Sequence, residues 1–469
     1  MGRINRRVFL GGAATPFIHV PGKAARERPN VLIFMTDDHG AWATGAYGCP
    51  SILTPNLDVL AAGGVRFTRA YAATPVCSPS RMTYMTGRLP STHGVQDWLR
   101  PVDSFGEKSR RWLEGQPTWS EALAKAGYHL GMVGKWHMGH DEWIQAGFEH
   151  WRTIPGGGGR YKDPKWSAGH GRRMMTIGYK TDQVGDRAID FLTHAKEPFG
   201  LLVPFYAPHT PYNYQPERYR EPYANSKFPC FPDEPMNPWQ NPGLARLHGS
   251  RNAKWAYSSL ITGMDHNVGR IVSYLQRTKR YDNTLIIFTA DQGWNAGQHG
   301  VWGKGNGTIP FNMFEQSIHV PMIWHHAARL PTAKTLNPMV SSYDFLPTLL
   351  DYLGIEAPRD PKRVGHSYAG FLRGETPQWK NRLYFEYCYV RGVRTENLKY
   401  IERTAEWPSE LYDLEADPGE KRNLIDENSY AKRLRSLRAD LAGFFERTGA
   451  PPIEDWRSTT EQHLTVYRR

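Results

Sequence analysis

The stretch Val31-Leu32-Ile33-Phe34-Met35 is a continuous apolar run, not an alternating one. Alternation marks a strand with one wet face. An unbroken run of branched and aromatic residues marks a strand covered on both faces, as in a parallel sheet held between helices. Leu285-Ile286-Ile287-Phe288 repeats the pattern, and from about Pro29 to about Ile355 such runs alternate with helical stretches. One helix, Ala122 to Ala126, is opened by a capping box of Thr118 and Glu121 and closed by Gly127. Tyr128 to Val133 is then the next strand, with Lys135 and His137 just past its carboxyl end, and a longer helix is expected from about Asn252 to Arg277. The expected class is α/β, with a large, mostly parallel or mixed sheet sandwiched by helices.

Both apolar runs end in acids: Asp37-Asp38 after the first, and Asp291-Gln292-Gly293 after the second. In open α/β sheets the ligand crevice lies beyond the carboxyl ends of the strands. Carboxylate and amide oxygens gathered there make a hard, oxygen-only site suited to Ca²⁺ or Mg²⁺. A solvated acidic turn is the competing reading of Asp37-Asp38 taken alone. No zinc spacing of Cys and His is present.

Cys77-Ser78-Pro79-Ser80-Arg81 is followed by Met82-Thr83-Tyr84-Met85-Thr86-Gly87-Arg88. A buried structural cysteine before a helix is the plain alternative, and a short motif is a hypothesis until its context agrees. The segment resembles the signature of the formylglycine-dependent sulfatases of the alkaline phosphatase superfamily. Further landmarks follow in the family's order: Gly134-Lys135-Trp136-His137-Met138-Gly139, Ala207-Pro208-His209-Thr210-Pro211, Gly297-Gln298-His299-Gly300-Val301-Trp302-Gly303-Lys304, Asp344 to Asp351, and Glu410 to Leu424.

The resemblance implies an alkaline phosphatase-like fold and a sulfuric ester hydrolase. A separate formylglycine-generating maturation enzyme would oxidise Cys77 to an aldehyde whose hydrate is the nucleophile. Asp37, Asp38, Asp291, Gln292 and the modified Cys77 would hold calcium, with magnesium possible. Gln292 departs from the family's usual Asn or His, and its longer arm moves the oxygen by about one carbon–carbon bond. Arg81, Lys135 and Lys304 would supply positive charge where negative charge develops, with Lys304 on the sulfate. His209 is the expected general acid and His137 the expected base. His299 would either touch the leaving group or orient the Lys304 loop. The implied substrate is a sulfated carbohydrate. Two alternatives stand: a phosphonate monoester or phosphodiester hydrolase of the same superfamily, and a non-catalytic polyanion-binding protein with unmodified Cys77.

The chain has 469 residues, more than a typical single domain. A catalytic domain over 28–357 is expected, then a C-terminal subdomain over 358–469 with a small antiparallel sheet, including a hairpin from Arg391 to Ile401 and a strand from Leu411 to Leu414, and an amphipathic helix from Ser429 to Arg447. Gly156 through Met174 and Tyr212 to Leu247 read as surface loops near a pocket mouth. The run Gly156-Gly157-Gly158-Gly159 is not a phosphate cradle, because no P-loop helix follows it.

The net charge of +12 suits a sulfated polyanion, but the basic residues are scattered and form no nucleic-acid module, which argues against nucleic acid as a partner. Residues 1–27 contain Asn5-Arg6-Arg7-Val8-Phe9-Leu10 and an apolar stretch, which resembles a twin-arginine export signal. That implies an exported, periplasmic protein whose Cys77 is matured before export. No other run approaches a membrane span. Cys49, Cys230 and Cys388 show no disulfide-framework spacing, and no disulfide is expected.

Overall fold

The fold is described from a computed structural model, over residues 28–107 and 109–456. The export-like segment expected at 1–27 lies outside the described residues.

The main sheet takes β1 (Asn30–Thr36), β2 (Val65–Tyr71), β3 (His129–Lys135), β4 (His150–Ile154), β5 (Lys165–Ser167), β6 (Arg173–Met175), β7 (Phe199–Pro204) and β8 (Thr284–Ala290). A hairpin of β9 (Asn295–Ala296) and β10 (Trp302–Gly303) stands apart, and β11 (His319–His325), β12 (Lys334–Leu336) and β13 (Val340–Ser341) rejoin the main sheet. The strand order is β12-β2-β11-β8-β1-β7-β3-β4-β5-β6, with β13 against β2. In the middle of the sheet β3, β7, β1 and β8 are all parallel, so their carboxyl ends share one edge. Antiparallel pairings at β11, β5 and β6 make the sheet mixed.

The unbroken apolar runs have the predicted cause. Along β1, Leu32 and Phe34 join a core with Leu260, Ile261 and Met264 of the helix Arg251–Arg277. Val31 and Ile33 point the other way, into a core with Leu123 of the helix Trp119–Lys125 and Leu346 and Leu349 of the helix Phe345–Leu353. Ile286 and Phe288 against Leu285 and Ile287 repeat this division along β8. The helix start is also as read: Thr118 Oγ1 accepts the Glu121 N–H at 3.1 Å.

Beyond residue 358, β14 (Leu383–Tyr387), β15 (Val390–Arg394), β16 (Leu398–Arg403) and β17 (Glu410–Asp413) form an antiparallel sheet. The helix Ala431–Arg447 covers it with Leu434, Leu437, Leu441 and Phe445. The same core takes in Tyr71, Val76 and Cys77, so this sheet buttresses the segment that presents the signature cysteine.

Two expectations need correction. Cys49 and Cys230 form a disulfide across 181 positions of sequence, where none was expected. The long segment after Tyr212 folds back onto the main domain, burying Tyr219, Tyr223, Phe228 and Phe231 in its core, and that return brings the two cysteines together. Nor are the two polar stretches simply surface loops. The first contributes β5 and β6 to the sheet, and the second carries the short helices Glu217–Arg220 and Pro242–Ala245.

Candidate active site

The shared carboxyl edge of β1, β8, β3 and β7 gathers Asp37 and Asp38, Asp291 and Gln292, Lys135, and the turn that carries His209. The helix Cys77–Thr86 is buried at every position and points its N-terminus at the same place. Pro79 falls in its first turn, where its missing N–H costs nothing. Cys77 and Arg81 stand four residues apart and therefore share a face. Lys304 follows directly on β10.

Arg81 is held in a fixed fork. Nε and Nη2 each lie 2.8 Å from Asp291 Oδ2, and Nη2 is 3.8 Å from Asp37 Oδ2. Lys135 Nζ donates to Asp37. Lys304 Nζ lies 2.6 Å from Asp38 Oδ1 and 3.9 Å from Asp37 Oδ1. Three carboxylates thus face three cations, all buried. Burial raises the Asp37 carboxyl, but Lys135, His209, Lys304 and Arg81 outweigh it and hold Asp37 well below the usual carboxylate range. Asp291 goes the other way, pushed up to about 7 by burial and by the like charge of Asp37. Burial also raises the Cys77 thiol, although Lys135 and Lys304 pull it down.

The donor set fits a hard dication. The like-charge strain between Asp37 and Asp291 is what such an ion relieves. Asp38 Oδ2 and Gln292 Oε1 are buried oxygens with no hydrogen-bond partner, while Gln292 Nε2 donates to Asp38 Oδ1 at 2.7 Å and Asp37 Oδ1 at 3.1 Å. Here it is the amide nitrogen that faces the two carboxylates, so a place for Oε1 on a cation requires the amide to turn over. Ligating atoms of Asp37, Asp38 and His209 also come within 4.8 Å of one another. A hard cation prefers the oxygens to the imidazole nitrogen.

The two histidines are oriented differently. His137 Nε2–H donates to the Leu99 carbonyl at 2.7 Å, which leaves Nδ1 as a buried lone pair without a partner. Burial, then the neighbouring Lys135, keeps this ring neutral by pushing its pKa well below the usual value. His209 Nδ1 donates to the Thr210 carbonyl, and Nε2 faces Asp38 Oδ2 at 3.6 Å. Burial lowers its pKa, and Asp38 and Asp37 act against that.

A cavity of about 290 Å³ opens onto these groups. Cys77, Asp38, Lys135, His137, His209 and Lys304 line it. His299 does not. It lies in the turn between β9 and β10, stacks on Phe314 at 4.0 Å, bonds to Gln316 at 2.7 Å and lies 3.7 Å from Glu420. Sequence reasoning did not single out Trp98, Asn241, Trp294 and Asn306 on the walls, which carry no motif. Gly157 had a signal in its glycine run: its φ is +66°, and a Cβ there would lie 2.2 Å from His137 Cδ2.

Together the mixed sheet, the edge cluster of acids and cations and the buttressing small sheet define an alkaline phosphatase-like hydrolase. The family profile described as Sulfatase matches residues 29–355, and one described as N-sulphoglucosamine sulphohydrolase, C-terminal, matches 297–446. The chain belongs to the sulfatase family and is a sulfuric ester hydrolase. An N-acetylglucosamine-6-O-sulfatase of Bacteroides thetaiotaomicron is 28% identical over 89% of this chain and 86% of its own length. An ulvan-active sulfatase of Formosa agariphila is 26% identical over 88% of this chain and 80% of its own. A solved structure in complex with its substrate D-glucosamine-2-N,6-O-disulfate superposes with a TM-score of 0.79 at 26% identity, covering 92% of this chain and 100% of that one. Among the described residues, no helix is long and apolar enough to cross a membrane.

Proposed function

We propose that this chain removes sulfate from a terminal residue of a sulfated carbohydrate, using formylglycine made from Cys77 and calcium held by Asp37, Asp38, Asp291, Gln292 and position 77. The observation that carries the reading is Cys77 at a buried helix N-terminus, facing Arg81, Lys135 and Lys304 beside an oxygen-only acid cluster. When bound, the ion and the hydrated aldehyde supply a Lewis acid and a nucleophilic oxygen.

The rest falls to the chain's own side chains. Arg81 fixes the hydroxyls at position 77, and Lys135 and Lys304 neutralise sulfate oxygens in a buried site where each charge acts strongly. His209 Nε2 is placed to give a proton to the departing sugar oxygen. Its proton is favoured by Asp38, and a bound sulfate adds charge of the same sign. His137 Nδ1, neutral and unpartnered, is placed to take a proton at position 77. His137 is buried, while the His209 side chain is 23% exposed on the pocket side.

A cavity of about 290 Å³ is at the lower end of the roughly 300–1,000 Å³ that takes a drug-sized ligand, which supports one sugar ring and not an internal stretch of polymer. Trp98 and Trp294 offer apolar faces and Asn306 an amide on its wall, while the Asn241 amide is engaged with Gly243 and Asn306. The names of the relatives make sulfated glucosamine the first sugar to try. Export is supported by the Cys49–Cys230 disulfide, since such bonds persist in oxidising compartments.

The test is inorganic sulfate release, read by ion chromatography, from a mixed pool of sulfated oligosaccharides. Protein co-produced with a formylglycine-generating enzyme is compared with a Cys77→Ala variant. Release confined to end residues and abolished in the variant is expected. Silence, with mass spectrometry showing the aldehyde at position 77, would refute the carbohydrate reading.

A further inference from the structure

Lys180 breaks two local rules at once. It is the first residue of the helix Lys180–His194, where the helix dipole disfavours a cation. It is also 1% exposed, and the acid whose field reaches it, Asp37, is already paired with Lys135. A residue that contradicts its local setting is held there by something tertiary.

Its surroundings lead to both histidines. On one side Nζ donates to the carbonyls of Gly158 at 3.2 Å and Gly159 at 3.0 Å. The preceding Gly157 packs directly on the His137 ring, and the Gly156 N–H is held by Asp141 at 3.0 Å. On the other side Nζ sits 4.0 Å from the Tyr206 ring centroid and 5.4 Å from that of Tyr161. Tyr206 stacks beneath His209 at 4.9 Å and donates its hydroxyl to the Thr210 carbonyl. The Tyr161 hydroxyl donates to the His209 carbonyl at 2.8 Å.

We propose that Lys180 is the positioning residue that fixes His137 and His209 relative to one another, clamping the glycine run against one and the Tyr206–Tyr161 pair beneath the other. The proposal rests on the reading of these histidines as the proton-transfer pair. Burial pushes the Lys180 amine well below its usual pKa, Lys135 adds to this and Asp37 opposes it. Charged or neutral, the amine has N–H groups for both carbonyls, so the arm to the glycine run does not depend on its charge, whereas the hold on the Tyr206 face is stronger when the amine is charged.

Lys180→Met keeps an unbranched side chain one heavy atom shorter and removes the donors, and Lys180→Gln keeps an amide donor group. Hydrogen–deuterium exchange with mass spectrometry is read at 156–161, at 205–210 and in β1 and β8, beside steady-state kinetics. The expected result for Lys180→Met is faster exchange in both segments with the strands unchanged, and kcat lowered about 10- to 100-fold with KM within about threefold; Lys180→Gln falls between it and the parent. Change in one segment only or in neither, a general rise in exchange in both variants, or a loss confined to KM overturns the clamp. If the parent protein carries the aldehyde yet releases no sulfate, the functional reading fails while the exchange data still decide the clamp.

Discussion

Replacing Gly157 by alanine puts a methyl carbon 2.2 Å from His137 Cδ2 and 2.3 Å from its Cγ. Ordinary van der Waals contact requires about 3.5 Å between carbons, so ring and loop must part by about 1 Å. The φ of +66° adds backbone strain of about 1–2 kcal/mol for a residue with a Cβ. The ring is pinned by its 2.7 Å bond to Leu99, so the displacement falls on the rest of the imidazole, including Nδ1, the proposed base. A misplacement of about 1 Å costs roughly 100-fold in rate. Gly157→Ala should therefore lower kcat about 100-fold, with KM changed little because Lys135 and Lys304 are untouched. Gly158→Ala is the matched control: a Cβ there meets nothing nearer than 3.7 Å and its φ is extended, so its activity should stay within about twofold of the parent on that contact distance. The assay is steady-state sulfate release by matured protein of both variants. A Gly157→Ala enzyme that keeps a third of its kcat, or a Gly158→Ala enzyme that falls equally, would refute the argument.

Other expectations follow from the same structure. Cys49→Ser together with Cys230→Ser should lower unfolding stability by about 2–5 kcal/mol, and a reductant that leaves the unfolding midpoint of the parent unmoved would contradict the bridge. His39 and His93 are buried and neutral, with pKa values lowered by burial to about 4 and about 3. Because the unfolded chain binds protons near 6.5 while the folded one does not, stability is full above about pH 6.5 and falls as pH drops. At pH 5 each ring should cost about 2 kcal/mol, and denaturant midpoints that rise on acidification across this window would contradict the sign. Stripping divalent cations with a chelator should stop sulfate release and lower the melting temperature, with calcium restoring both; full activity in a metal-free preparation would overturn the oxygen site. Asp291→Asn should weaken that calcium-induced rise in melting temperature.

Much of this was legible in the sequence because the fold follows from pattern. Unbroken apolar runs meant two covered faces, and β1 divides its side chains between two cores for that reason. The edge cluster followed from the same logic, since Asp37, Lys135 and Asp291 stand at or just after strand ends. What was not legible depended on long returns of the chain. Cys49 and Cys230 meet across 181 positions, and no local spacing encodes such a pairing. Lys180 carries no motif, and its place is visible only once the glycine run and Tyr206 are folded around it. The destination of His299 was hidden likewise, because Gln316 and Glu420 lie far from it in the chain. β14 escaped notice beside the predicted hairpin, and part of what buries the small sheet, Tyr71, Val76 and Leu89 among others, lies far from it in the chain.

The helix that carries Cys77 has a bearing on the order of events in the life of the molecule. All ten of its residues are buried, and Cys77 itself is 3% exposed. If position 77 is oxidised as proposed, an enzyme acting on the thiol would need it exposed, and the finished fold does not expose it. Oxidation would then have to come before this helix closes. A molecule that closed the helix first would be well folded and unarmed, so the active fraction of a preparation would record how early the chain was met after synthesis.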